Sequence, residues 1–126
     1  MIELLKEDYP DDVLAIEGVG KITAEDYRNI LIPEANRRIE KHKTIRLLCI
    51  LGTRFEGLTP GAAWSDLKFG VSRWNQFGRL AVVTDAVWIR DAILLFAPIY
   101  HHPVRVFPNS EVEVAKAWIL ETDEHS

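Results

Sequence analysis

The chain has 126 residues, 48% of them hydrophobic, with 19 acidic and 15 basic side chains and a net charge of −4. This composition favours one folded domain, excludes a mainly disordered chain, and argues against a dedicated nucleic-acid-binding protein. The single cysteine, Cys49, excludes an internal disulfide and is typical of a reducing compartment. We expect a cytoplasmic domain over residues 1–121 with a polar tail at 122–126, and neither a signal peptide nor a transmembrane segment.

Two short strands and a helix are predicted at the start of the chain. Residues 1–5 and 13–18 flank a turn-forming segment, which indicates an antiparallel hairpin. Thr23 is a favourable N-cap for a helix over residues 24–42. Pro33 lies inside that helical pattern, where it removes a hydrogen bond and clashes with the preceding turn. We therefore predict a kink there, with a break into two short helices as the alternative.

The middle of the chain alternates between apolar strands and a helix. Residues 45–51 are almost wholly apolar, which is typical of a strand covered on both faces. A loop is predicted over 52–60 and a helix over 61–77. The apolar stripe of that helix consists of four residues: Trp64, Leu67, Val71 and Trp74. Phe69 falls on roughly the opposite face of the helix, away from this stripe.

The last third predicts two more strands and two more helices. Residues 80–84 form an apolar strand, and Asp85 is the expected N-cap of a helix over 86–97. A strand over 104–107 precedes a capping box that begins at Ser110 and opens the last helix. The order β-β-α-β-α-β-α-β-α predicts an α/β fold. In it, about four helices pack on a mixed, mostly parallel five-stranded sheet whose first strand is antiparallel.

No catalytic, cofactor or metal site is predicted. Residues 18–21 are placed like a phosphate loop, but Ala15 and Ile22 occupy positions where a Walker A loop needs Gly and Ser or Thr. A simple strand-to-helix turn is favoured there. His101 and His102 are adjacent in an extended segment, so they point to opposite sides and do not share one metal ion. Cys49 is expected to be an inert thiol within an apolar strand.

Two surfaces are candidates for binding. Beyond the carboxyl ends of the strands, an edge of the sheet is expected to gather polar loop residues. Aromatic and cationic side chains also alternate over 54–79, a pattern that suits a lipid headgroup but also ordinary core packing. The candidate ligand-binding residues are Thr53, Arg54, Phe55, Trp64, Phe69 and Asp85.

The helix over 86–97 is apolar nearly all round, apart from Arg90 and Asp91. Such a helix is either deeply buried or part of an interface. Trp88 and Trp118 are both predicted to lie in the core. If the extra apolar face is instead an interface, its candidate residues are Trp88, Leu94 and Leu95.

Several stretches of the chain resemble the SpoIIAA-like family. They are residues 20–27, 45–51, 62–69, 81–88 and 113–119. The resemblance implies the fold of the sulfate-transporter and anti-sigma-factor-antagonist (STAS) domain, an α/β sandwich related to CRAL-TRIO lipid-binding domains. Regulatory STAS proteins carry an Asp-Ser-Ser/Thr-Gly-like phosphorylation motif after the third strand. Here Thr53 is the nearest hydroxyl and lacks the neighbours of that motif, so no phosphorylation site is carried over.

Together, the residues and the resemblance predict a non-enzymatic regulatory or binding module. It is expected to act through an unknown protein partner or as a homodimer, with no cofactor and no nucleic acid. The alternative is a carrier or sensor of a small apolar ligand such as a fatty acid or lipid.

Overall fold

The computed structural model describes residues 1–6, 9–64, 76–100 and 102–121. In chain order the strands are β1 (Ile2–Leu5), β2 (Val13–Gly18), β3 (Gly20–Ile22), β4 (Ile45–Leu51), β5 (Phe55–Leu58), β6 (Phe77–Thr84) and β7 (Val104–Phe107). The helices are α1 (24–42), α2 (described over 60–64), α3 (Val87–Phe96) and α4 (Val112–Leu120). Short 3-10 turns follow α3 at Ala97–Ile99 and precede α4 at Asn109–Glu111.

Five strands form one sheet in the order β1-β2-β4-β6-β7. β1 runs antiparallel to β2, whereas β2, β4, β6 and β7 are mutually parallel neighbours. The predicted mixed, mostly parallel sheet with an antiparallel first strand is therefore confirmed. β2, β4 and β7 have the predicted bounds, and β6 begins at Phe77 rather than Leu80.

The sheet is buried on both faces because successive residues of a strand point to opposite sides. One face of β2 contributes Leu14 and Ile16 to a core completed by α1 and by Ile89 of α3. The other face contributes Val13 and Ala15 to a second core that is covered by α4. In this second core Trp118 is buried, as predicted.

A second, two-stranded sheet pairs β3 with β5 in parallel. The expected loop over 52–60 therefore contains a strand, and the expected strand-to-helix turn at residues 18–21 is wrong because Gly20 and Lys21 belong to β3. Gly20 has a φ of 65° and its amide donates to the Arg54 carbonyl at 2.7 Å. A glycine is favourable here because it adopts positive φ without a Cβ clash.

Helix α1 begins with the predicted cap and contains a π-helical turn directly before Pro33. The Thr23 hydroxyl accepts from the Asp26 amide at 3.3 Å, and the Asp26 carboxylate accepts from the Thr23 amide at 2.8 Å. The segment Tyr27–Leu31 is a π-helical turn, after which the α-helix continues from Ile32. The helix remains continuous because the wider turn lies directly before Pro33, where a regular α-helix would clash.

Three further local predictions are wrong. Ala86, not Asp85, is the N-cap of α3, since the chain is still extended at Ala86 and the helix begins one residue later. Ser110 lies inside a 3-10 turn, and no side-chain bond caps the α4 N-terminus. Trp88 is 59% exposed and is not a core residue.

Some of the predicted residues lie outside the described residues. They are Leu67, Phe69, Val71 and Trp74, His101 of the histidine pair, and the tail at 122–126.

Candidate functional site

Helix α3 turns an apolar face outward. Its inward side is anchored by Ile89, which is 6% exposed, and by the half-buried Ile93. The exposed large apolar side chains of α3 and the turn after it are Val87 (56%), Trp88 (59%), Leu94 (51%), Leu95 (81%), Phe96 (37%) and Ile99 (61%). We call these six residues the α3 face.

The area of the α3 face is at the upper end of the range for apolar patches on monomers. Aromatic side chains carry roughly 150–250 Å² of surface each and aliphatic ones less, so the exposed fractions correspond to at most on the order of 600 Å². The largest apolar patch on a typical monomer is roughly 300–600 Å² and is often functional. Each partner in a standard interface contributes roughly 800 Å². The α3 face is thus close to one partner's share of a specific interface.

Asp91 lies at the centre of this face. Side chains three and four residues apart lie on the same side of a helix, and the four neighbours of Asp91 at these spacings are all exposed and apolar. They are Val87, Trp88, Leu94 and Leu95. Arg90 is the adjacent cation, with Nη2 at 3.5 Å from Asp91 Oδ1; the two side chains are 52% and 64% exposed. The outward surface of α3 is therefore apolar around one pair of opposite charges.

Tyr100 fixes the far end of the α3 segment to the sheet. Its hydroxyl lies 2.8 Å from the Phe77 carbonyl oxygen and 2.7 Å from the Gly78 carbonyl oxygen, toward which it donates. Its burial raises the pKa of the phenol above the ordinary value. Tyr100 remains protonated and holds the end of the α3 face in place.

The predicted ligand-binding residues at the carboxyl edge of the sheet are engaged by other parts of the protein. The guanidinium of Arg54 donates to Glu17 at 2.9 Å and to Glu3 at 3.0 Å. These bonds, chiefly that to Glu17, raise the pKa of Arg54. Phe55 is half-buried against the core. Asp85 accepts from the Asn109 amide at 2.8 Å.

Thr53 and Trp64 are exposed, Trp64 to 62% of its surface. The ends of β4 and β6 are neighbours, with Leu51 opposite Thr84, so residues 53–55 and Asp85 lie at one edge of the sheet. Trp64 lies on α2, and Phe69 is outside the described residues.

Depressions also occur elsewhere on the described surface. One of about 220 Å³ is lined by Leu5, Lys6, Tyr9, Asp11, Arg37 and Arg38, and one of about 350 Å³ by Asn36, Ile39, Glu40 and Gln76. Neither contains a predicted ligand-binding residue. Across the described part of the chain, His, Cys, Asp and Glu side chains form no cluster that could hold a metal ion. No helix in those same residues has the length and apolar character of a membrane span.

Sequence reasoning named Trp88, Leu94 and Leu95 but missed Val87, Phe96 and Ile99. The available signal was the apolar composition of residues 86–100, in which Arg90 and Asp91 are the only charged side chains. An apolar run alone does not reveal which of its side chains face the sheet.

The five-stranded mixed sheet with an antiparallel first strand, covered by helices on both faces, defines a small STAS-like α/β domain. A family model described as SpoIIAA-like matches residues 13–120, and the chain belongs to the SpoIIAA-like family. A similar solved structure is an uncharacterised protein of the DUF3478 family with a SpoIIAA-like fold, from Shewanella loihica PV-4. It is 28% identical, covers 94% of this chain and 93% of its own, and has a TM-score of 0.75. No curated protein matches the chain.

Proposed function

We propose that this protein is a non-enzymatic, STAS-like binding module that acts as a homodimer through the α3 face. The observation that carries the proposal is the exposure of Val87, Trp88, Leu94 and Leu95, each by more than half, around one side of α3. Apolar side chains gain roughly 1.5–3 kcal/mol each on burial. Association with a second copy supplies that burial for a face that the sheet does not cover.

The charge of the α3 face favours a protein partner over a lipid surface. Interfacial helices that lie on membranes carry many Lys and Arg residues on their polar side. Helix α3 has one cation, Arg90, and Asp91 lies beside it. The face therefore lacks a surplus of positive charge for anionic headgroups, whereas a neutral apolar face suits a second protein.

The alternative function, carriage of a small apolar ligand, has weaker support. A carrier for a fatty acid needs a cation to pair with the buried carboxylate of the ligand. Arg54 was the candidate, but two carboxylates of the protein itself, Glu17 and Glu3, occupy its guanidinium. A ligand carboxylate would compete with them for the donors of this guanidinium.

The homodimer is tested by light scattering coupled to size exclusion, with Leu95→Glu as the variant. Leu95 is 81% exposed, so the substitution should leave the monomer folded while placing an unpaired charge in the interface. We expect a dimer for the wild type and a folded monomer for Leu95→Glu. Val114→Glu is the matched control, because Val114 is 50% exposed on α4, away from the α3 face; this variant should remain dimeric.

Two results would contradict the homodimer. One is a wild-type protein that is monomeric at about 100 μM, well above the Kd of a stable dimer. The other is loss of circular-dichroism signal in Leu95→Glu, which would indicate that Leu95 packs inside the domain. Saturable uptake of a fluorescent fatty acid, lost in Phe55→Ala and Arg54→Ala but not in Leu95→Glu, would instead support the carrier.

A further inference from the structure

The charged pair at the centre of the α3 face restricts how a second copy can bind. Asp91 is surrounded by apolar neighbours, so a partner that covers them also removes water from its carboxylate. Burial of an unpaired charge is very unfavourable, and a buried carboxylate needs a cation with good hydrogen-bond geometry. Arg90 is the one cation of α3. A dimer that packs α3 against α3 can supply that cation from the Arg90 of the second copy.

We infer that two copies pair their α3 helices antiparallel about a two-fold axis beside Arg90 and Asp91, so that Arg90 of each protomer binds Asp91 of the partner subunit. This inference rests on the proposed homodimer. It names the two residues through which one copy of the chain would recognise a second copy. The resulting cluster holds two guanidinium groups and two carboxylates and has no net charge.

The sequence of α3 is self-complementary in this register. In a closed two-fold dimer, residue i meets residue j of the partner while residue j meets residue i. Two adjacent opposite charges satisfy that condition when the helices run antiparallel and the axis passes between them. The register that sets position 90 opposite position 91 also sets Val87 opposite Leu94 of the partner subunit. Both are apolar and about half exposed in one protomer, so charge and apolar pairing agree.

The geometry of the Arg90 guanidinium allows it to bind the Asp91 carboxylates of both protomers. Within one protomer the two groups are adjacent in sequence and 3.5 Å apart, with both side chains more than half exposed. A guanidinium has five N–H donors in a planar fork. It can keep the contact with its own Asp91 and still donate to a second carboxylate across the axis.

The test reverses each of the two charges in a separate variant and then mixes the two variants. Arg90→Asp gives four carboxylates at the axis of its homodimer, and Asp91→Arg gives four guanidinium groups. We expect each variant alone to dimerise at least about tenfold more weakly than the wild type, because like charges repel across the interface. In an equimolar mixture the cluster is neutral again, so heterodimers should form with an affinity near that of the wild type.

Sedimentation equilibrium of the two variants, alone and mixed, measures these affinities. Glu113→Arg and Lys116→Asp are the matched controls, since they make the same charge changes at a pair on α4 whose charged atoms lie 3.7 Å apart. These controls should dimerise like the wild type, alone or mixed.

The inference is overturned if the single variants dimerise like the wild type or if the mixture is no tighter than its components. If either result occurs while Leu95→Glu still gives a monomer, the proposed homodimer stands and only the pairing is wrong. A monomeric wild type overturns both.

Discussion

Arg38 is a charged side chain that the fold buries, and its bonds join α1 to the sheet. It is 6% exposed. Its guanidinium donates to the Val13 carbonyl at 2.9 Å, the Asp11 carbonyl at 3.0 Å and the Glu34 carboxylate at 2.7 Å. A buried cation is tolerated when its donors are satisfied in this way. The α1 helix is thereby fixed to the amino-terminal end of β2, a strand that lies between β1 and β4.

Replacement of Arg38 by Ala should destabilise the protein. The Val13 carbonyl would remain buried without this donor and Glu34 would lose one of its two arginine partners, for a cost of about 2–4 kcal/mol. The neighbouring Arg37→Ala is the control, because Arg37 is 50% exposed and pairs at the surface with Glu34 and Asp11; its loss should cost less than about 1 kcal/mol. Urea unfolding measures both. Equal losses would show that the Arg38 bonds contribute no more than surface pairs.

Asp11 gives the stability a predictable dependence on acid. The His42 ring nitrogen lies 2.8 Å from its carboxylate. That bond, followed by the bond from Arg37, lowers the pKa of Asp11 from 3.8 to about 2. A folded pKa below the unfolded value adds stability above the unfolded pKa, which is lost as the pH falls through the folded pKa. The contribution of Asp11 should therefore be full above pH 4 and absent below about pH 2.

The measurement compares wild type with Asp11→Asn. We expect a higher urea midpoint for the wild type above pH 4 and a difference that vanishes as the pH falls toward 2. Glu113→Gln, at a carboxylate whose side chain is 80% exposed, controls for the removal of one negative charge. A difference between wild type and Asp11→Asn that stays constant from pH 6 to pH 2 would rule out this contribution.

At the scale of elements, α4 is held to the sheet at its C-terminal end. Arg46 of β4 donates to the Ile119 and Glu121 carbonyls, both at 2.7 Å. Arg79 of β6 donates to the Trp118 carbonyl at 2.9 Å, and its guanidinium carbon lies 5.0 Å from the Trp118 ring centroid. The last carbonyls of a helix have no partner within the helix and carry partial negative charge. Two strand arginines satisfy them, so α4 packs in one position on its face of the sheet.

The sequence predicted the elements whose pattern is long and regular. β4 and the hairpin strand β2 have near-continuous apolar runs, and their bounds are as predicted. The β3–β5 pair was missed because three- and four-residue strands are too short to show a period. Pro33 was recognised as an anomaly, but the choice of a π-helical turn depends on how α1 packs, which is not a local property.

The candidate site was only partly predictable from the sequence. The apolar composition of residues 86–97 indicated burial or an interface, and the sequence alone did not decide between them. Trp88 was expected in the core because bulky aromatic residues usually lie there. The structure shows that Ile89, the next residue, points toward the sheet instead. A helix shifted by one position turns different side chains inward, and no local signal fixes that rotation.

At the scale of the whole molecule, the exposed apolar surface depends on which helices cover each face of the sheet. The face of the sheet that carries Leu14 and Ile16 is covered by α1 and by the inner side of α3. The opposite face is covered by α4. Helix α3 therefore contacts the sheet on one side only, while its sequence is apolar on both. The second apolar side contributes nothing to the described core, which is why we assign it to association.

Association through the α3 face should make thermal stability depend on protein concentration. A dimer that dissociates on unfolding gains stability by mass action as the concentration rises. With roughly 2 cal/mol/K of unfolding entropy per residue, the midpoint should rise by about 3 °C for each tenfold increase. Differential scanning fluorimetry from about 2 to 200 μM measures this for the wild type, with Leu95→Glu as a monomeric reference whose midpoint should stay constant. A wild-type midpoint that does not change over this range would show that folding and association are not coupled, and the α3 face would then have no role in the stability of the protein.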